Sequence, residues 1–327
     1  MLPAIPQEYL HDYDRKALRD LKEIPVFDKI CSKFIEIFNE KTAAMEDMAS
    51  KIRLSEEQIP RVYNMLPSIC EKLGIKEIPP VYLELNRMPK AYTYGDKNPA
   101  ITITSGLLEC LIDEEIYAVL AHECGHIACH HVLYHTMGAL ILNGNMELLL
   151  SGTLVGVAVS IPLKLAFYHW MRCSEFSADR AAVICCGKSE PVVQTMMRLA
   201  GGTSHIGDEI NMDLFVEQAK DYDELRNSSR LNKFREFSII STQNHPLLSA
   251  RAYEATKWID SEQYKNILSH LSDDEPVDDS DATSPEEKIC HNCGTPLCEN
   301  AVFCHACGTK YKQSNIVSTD TFEKDVL

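Results

Sequence analysis

Five consecutive residues, His122-Glu123-Cys124-Gly125-His126, constrain this chain more than anything else in it. Histidines four positions apart lie on one face of an α-helix, about one turn apart. Both ring nitrogens can then reach a single zinc ion at about 2.0–2.1 Å. Glu123, beside the first histidine, is placed to act on a water molecule as general base. Histidine is abundant here, since His130, His131 and His135 follow closely, so a chance pattern in a histidine-rich helix is the plain alternative.

A catalytic zinc site needs a third protein ligand and an open position. The metzincin extension would require glycine at position 129 and histidine at 132; Cys129 and Val132 stand there and reject that class. A glutamate from a later helix is the other common solution. The segment Arg172 to Arg180 offers Glu175, which can complete a tripod. It also offers Asp179, which shares its helix face and can accept a hydrogen bond from a ligand imidazole. On these residues alone, an ordinary charged helix turn is the simpler account.

The rest of the chain predicts a mainly α fold with a small β-sheet, an α+β zincin-like domain, followed by a small C-terminal zinc ribbon. Residues 1–75 form a helical N-terminal region, with apolar residues recurring at helical spacing from Val26 to Phe38 and a stop at Gly74. Residues 76–271 form the core. Pro79-Pro80 leads into a strand at Val81–Leu85, and Ala100–Thr104 is a second. Asp113 is the expected N-cap of a helix running well past His126, which tolerates Gly125 at about 1 kcal/mol. Another helix holds Arg172 to Cys186, and more follow to about Leu271.

Three further motifs carry a resemblance. Ser105-Gly106-Leu107-Leu108 precedes the histidine helix, Glu175 and Asp179 form Glu-x-x-x-Asp, and His245-Pro246 is followed by Arg251. Over roughly residues 15–262, in this order, the chain resembles the HtpX-type zinc metallopeptidases, the gluzincin family that includes the prenyl-protein (CaaX) endoprotease. The resemblance implies endopeptidase activity on extended polypeptides. It implies His122, His126 and Glu175 as zinc ligands, Glu123 as base, Asp179 behind a ligand and His245 near the substrate carbonyl. An imidazole there would stabilise the charge of a tetrahedral intermediate; a His-Pro surface turn is the alternative. Arg251 would hold a carboxylate in the same site. Where the family has Asn-Ala-Phe or Asn-Ala-Tyr before the edge strand, this chain has Lys90-Ala91-Tyr92. Ile101, Thr102, Ile103 and Thr104 are the expected substrate-pairing strand, by β-augmentation.

Near the C-terminus, Cys290, Cys293, Cys304 and Cys307 make two Cys-x-x-Cys knuckles within residues 290–311. Four thiolates close a tetrahedral zinc site, and the metal would supply folding energy that so short a module lacks. Two zinc ions are therefore expected, one catalytic and one structural. The ribbon is expected to dock a protein or to act as a cap. The formal net charge of −16 argues against a nucleic-acid partner held by phosphate contacts. Eight carboxylates between Asp273 and Glu287 mark residues 272–289 as an acidic disordered linker, and 312–327 as a disordered tail completes the chain.

Thirteen cysteines, an odd number lying mostly beside apolar neighbours, together with an N-terminus lacking an apolar h-region, suggest a reducing, cytoplasmic setting. A membrane-associated alternative, with the active site facing the cytoplasm, would run through residues 139–166. The uncharged stretch Leu148–Leu163 has sixteen residues, short of the usual span of ~20, which favours a buried or interfacial hairpin. A membrane-embedded processing protease is thus the rival enzyme. A ribbon-based interaction protein with a vestigial centre is the rival of another class, and such a scaffold would not need Glu123.

Overall fold

The computed structural model describes residues 3–24, 27–141, 157–201, 209–229 and 248–272, with short pieces at 288–289, 292 and 317–318. The chain divides into two compact units, Met1–Asp274 and Glu275–Leu327. In the first, helices α1 (Pro6–Tyr9), α2 (Asp12–Lys22), α3 (Phe27–Ile37) and α4 (Glu40–Ser50) precede a short strand, β1 (Ile52–Arg53). Helices α5 (Pro60–Tyr63) and α6 (Leu66–Lys72) then lead to β2 (Val81–Glu84), β3 (Ala91–Tyr94) and β4 (Ala100–Thr104). The remainder is helical: α7 (Ser105–Cys110), α8 (Asp113–Ala128), α9 (Val132–Leu140), α10 (Val157–Cys186), α11 (Glu190–Ala200), α12 (Met212–Asn227), α13 (Leu248–Trp258) and α14 (Glu262–Ser272). The second unit contains an antiparallel pair, β5 (Lys288–Ile289) with β6 (Val317–Ser318).

The sheet order is β1-β2-β4-β3, with β2 and β4 parallel and the outer pairs antiparallel. This corrects one expectation. Ile101, Thr102, Ile103 and Thr104 belong to an interior strand, buried along its whole length, whose backbone is already paired on both sides. They have no free edge to offer a substrate. Their β-branched character reflects burial between two strands. The edge nearest the histidine helix is β3, a strand the sequence reading passed over. Lys51 pins it from beneath, its Nζ donating to the Tyr92 hydroxyl and to Thr102 Oγ1, each at 3.1 Å.

Helix α8 starts one residue earlier than its expected cap. Ile112 is the N-cap, its N–H donating to Glu115 Oε2 at 3.0 Å, while Asp113, Glu114 and Glu115 fill the first turn, where the helix dipole favours acids. It also ends sooner than expected, two residues after His126. His130 adopts a left-handed φ of 58°, and the N–H groups of His130 and His131 donate back to the carbonyls of Ile127 and His126. These two bonds form a Schellman termination, with histidine where glycine is usual.

Buried residues gather in two clusters. One joins the sheet (Val81, Ile101, Ile103) to α6, α8, α10 and α13; the other joins α2, α3 and α9 to the first half of α10 through Phe27, Phe34, Phe167 and Trp170. The eight cysteines between Cys31 and Cys186 are free thiols. Of the apolar stretch, residues 148–156 lie outside the described residues and 157–163 open α10. Among the described residues, no helix is long and apolar enough to cross a membrane.

Candidate metal centre

The site is built where α8 crosses α10, and Gly125 sets how closely they approach. A Cβ at this position would stand 2.7 Å from Ala181 Cβ and 3.1 Å from Ala178 Cα. With hydrogen alone there, the histidine face of α8 lies directly against Glu175 and Asp179 of α10.

His122 Nε2 and His126 Nε2 are 3.2 Å apart. Glu175 reaches both, Oε2 at 3.4 Å from His122 Nε2 and Oε1 at 3.5 Å from His126 Nε2. Two ligands of tetrahedral zinc, each at about 2.0–2.1 Å, stand roughly 3.3–3.4 Å from one another. The donor set of two imidazoles and a carboxylate also matches known catalytic zinc sites, so these residues fit a zinc ion in both chemistry and spacing.

Groups behind the donors fix their orientation. His122 Nδ1 lies 3.0 Å from Asp179 Oδ1, which keeps its proton on Nδ1 and turns Nε2 toward the centre. Arg251 on α13 grips that carboxylate with two bonds, Nε to Oδ2 at 2.8 Å and Nη2 to Oδ1 at 2.6 Å. Its Nη1 lies 2.9 Å from Glu175 Oε2. Burial would raise the Asp179 pKa, but Arg251 and His122 hold it below the ordinary aspartate value. Burial would likewise depress the His122 pKa, yet Asp179 and Glu175 carry it up to about 10, whereas burial lowers that of His126.

Glu123 is met from the sheet edge. Thr93 Oγ1 of β3 donates to Glu123 Oε2 at 2.6 Å. His126 is backed by a different chain of groups: its Nδ1 lies 3.1 Å from His131 Nδ1. His131 Nε2 in turn makes a close contact of 2.9 Å, not a straight hydrogen bond, with Asp14 Oδ2. Asp14, on α2, also accepts from Trp170 Nε1 at 3.0 Å and Ser177 Oγ at 2.7 Å. Burial alone would raise the Asp14 pKa, but His131 and these donors hold it below the usual range.

Of the residues singled out in the sequence, His122, Glu123, His126, Glu175, Asp179 and Arg251 converge on this centre. His245 and the four ribbon cysteines lie outside the described residues. Sequence reasoning missed Thr93, whose signal was its alternate position in Ala91-Tyr92-Thr93-Tyr94. It noted His131 only as one histidine among several. Asp14, more than a hundred residues away, left no local signal.

Comparison with known proteins agrees with this geometry. The model of peptidase family M48 matches residues 56–259, which enclose α8, the described part of α10 that carries Glu175, and Arg251. The plastoglobule-localized metallopeptidase 48 of Arabidopsis thaliana, a chloroplastic protein, is 30% identical over 263 residues, covering 80% of this chain and 75% of that one. A protease HtpX homolog of Ralstonia nicotianae is 27% identical over 167 residues, covering 45% of this chain and 58% of that one. No solved structure matches. With its candidate metal donors inside the matched segment and most of its length shared with a metallopeptidase, the chain belongs to peptidase family M48 and is a zinc metallopeptidase acting on polypeptides.

Proposed function

We propose that His122, His126 and Glu175 hold the catalytic zinc and that Glu123 is the general base of an endopeptidase acting on extended segments. The observation that carries this reading is that His122 Nε2 and His126 Nε2 stand 3.2 Å apart, close to the edge of a zinc tetrahedron, and that each has a Glu175 carboxylate oxygen beside it, Oε2 at 3.4 Å and Oε1 at 3.5 Å. Bound zinc would supply Lewis-acid polarisation of the scissile carbonyl and acidify a water molecule. The protein's own groups do the rest. Glu123 takes the proton of the attacking water and passes it to the leaving amine, with Thr93 fixing its Oε2. Asp179 and Arg251 keep His122 in one tautomer.

The β3 edge supports an extended substrate. Lys90 O accepts from Thr104 N, so in the antiparallel register Tyr92 and Tyr94 also face β4, and the backbone groups of Ala91 and Thr93 point away from it. An added peptide strand would pair there, beside Glu123. His245, three residues before α13 begins at Leu248, is the proposed donor to the developing oxyanion.

Cys290, Cys293, Cys304 and Cys307 are proposed to hold a second, structural zinc in a ribbon that docks a protein. Two Cys-x-x-Cys spacings and a β5 strand ending directly before Cys290 support this. Metal analysis tests both sites together. Wild type should carry two zinc ions, and His126→Ala or Glu175→Ala should lose one along with activity. Cys290→Ser/Cys293→Ser should lose the other and stay active. Full zinc retention in His126→Ala and Glu175→Ala would refute the ligand assignment.

A further inference from the structure

We infer that His131 and Asp14 are positioning residues for the catalytic metal, a buried second support that fixes the His126 imidazole as Asp179 and Arg251 fix that of His122. The inference rests on the proposed role of His126 as a zinc ligand.

The tautomers follow from one constraint. An imidazole that binds metal through Nε2 keeps its proton on Nδ1. His126 Nδ1 is then a donor, and among the described residues its hydrogen-bond partner is His131 Nδ1 at 3.1 Å. That nitrogen must accept, so the proton of neutral His131 sits on Nε2, 2.9 Å from Asp14 Oδ2. Each step dictates the next as far as His131, whose Nε2 then makes a close polar contact, not a straight hydrogen bond, with the carboxylate on α2. The same logic rejects a second metal among His126, His131 and His135, whose donor atoms also lie within 4.8 Å of one another. A protonated Nδ1 has no lone pair for another ion.

Local structure and burial point the same way. The left-handed His130, with φ of 58°, ends α8 so that the chain doubles back and His131 N bonds His126 O. A non-glycine residue in this region is uncommon and is retained when its surroundings demand it. Here it places the two rings 5.3 Å apart, centroid to centroid. His131 and Asp14 are each 1% exposed. An aspartate buried so deeply is stable only if its oxygens are satisfied, and Trp170, Ser177 and His131 together surround it. Through these contacts the N-terminal helix α2, outside the segment that matches the family, is tied to the metal centre.

The test measures zinc affinity by chelator competition on the full-length protein, following the equivalent that His126→Ala loses. His131→Phe keeps a ring but removes both nitrogens, and should weaken that zinc by about 10–100-fold. His131→Asn can still accept from His126 and should recover most of the loss. Phe34→Leu, in the same apolar cluster but remote from the metal, should lower thermal stability and leave affinity at the wild-type value. Wild-type affinity in His131→Phe, or equal weakening in Phe34→Leu, would overturn the inference. If His131→Phe does not fold, nitrogen-15 histidine spectra of the wild-type zinc protein decide. His126 protonated on Nδ1, with that proton slow to exchange, is expected; His126 protonated on Nε2 overturns it. If His126→Ala itself keeps its zinc, the ligand assignment fails instead, and the two failures are distinct.

Discussion

Gly125 and Ala181 meet so closely at the crossing of α8 and α10 that a Cβ on residue 125 would stand 2.7 Å from the Ala181 methyl. The neighbouring atoms are backbone and a methyl fixed to it, so neither can swing aside. Gly125→Ala must push the helices apart, carrying Glu175 away from His122 and His126. Overpacking of this kind costs roughly 1–3 kcal/mol. A lower Tm together with weaker zinc binding is expected, and unchanged zinc affinity would mean that the ligand spacing does not depend on this contact.

Thr93→Val replaces the hydroxyl that donates to Glu123 Oε2 with a methyl of nearly the same size. A hydrogen bond to a charged group contributes about 1.5–3 kcal/mol, so kcat should fall by roughly tenfold or more. Zinc content should stay at the wild-type value. A normal kcat would show that Glu123 needs no support from the sheet edge.

His245→Ala tests the proposed oxyanion donor. Loss of one such donor lowers kcat by about 10²–10³-fold. The expected result is that loss with KM little changed and zinc retained. An unchanged kcat with reduced thermal stability would assign His245 to a structural turn.

Acid should weaken the fold through Asp14. Its folded-state pKa is depressed, so the stability it contributes is complete above its unfolded value, about 4, and is lost as pH falls through the folded value. Urea unfolding of the chelator-treated protein should show Asp14→Asn less stable than wild type at pH 7. The two should converge below about pH 4. A gap that stays constant down to pH 2.5 would place the effect elsewhere.

Local chemistry was legible in the sequence wherever one helix carries it. His122, Glu123 and His126 follow from spacing alone, and Glu175 and Asp179 from spacing together with a resemblance. What escaped depends on the chain meeting itself. The strand Ile101–Thr104 looked like an edge because β-branched residues suit any strand; only its pairing with β2 and β3 shows it to be interior. Nothing near His126 announces that α8 stops at Ala128, because His130 occupies a conformation usually left to glycine. Asp14 reads as one more acid on an amphipathic helix until the fold buries it beside His131. Gly125 looked like a tolerated weakness in a helix, and its role as a spacer appears only once α10 lies across it.

The central claim is that Glu123 moves protons while His122, His126 and Glu175 hold the metal. Zinc content and steady-state cleavage of a peptide substrate, measured on one preparation of Glu123→Gln, test it most directly. A base contributes to the barrier and not to metal affinity, and its removal lowers the rate by about 10²–10⁴-fold. The expected result is wild-type zinc stoichiometry with kcat reduced to that extent. Wild-type turnover by Glu123→Gln with its zinc in place would contradict the account.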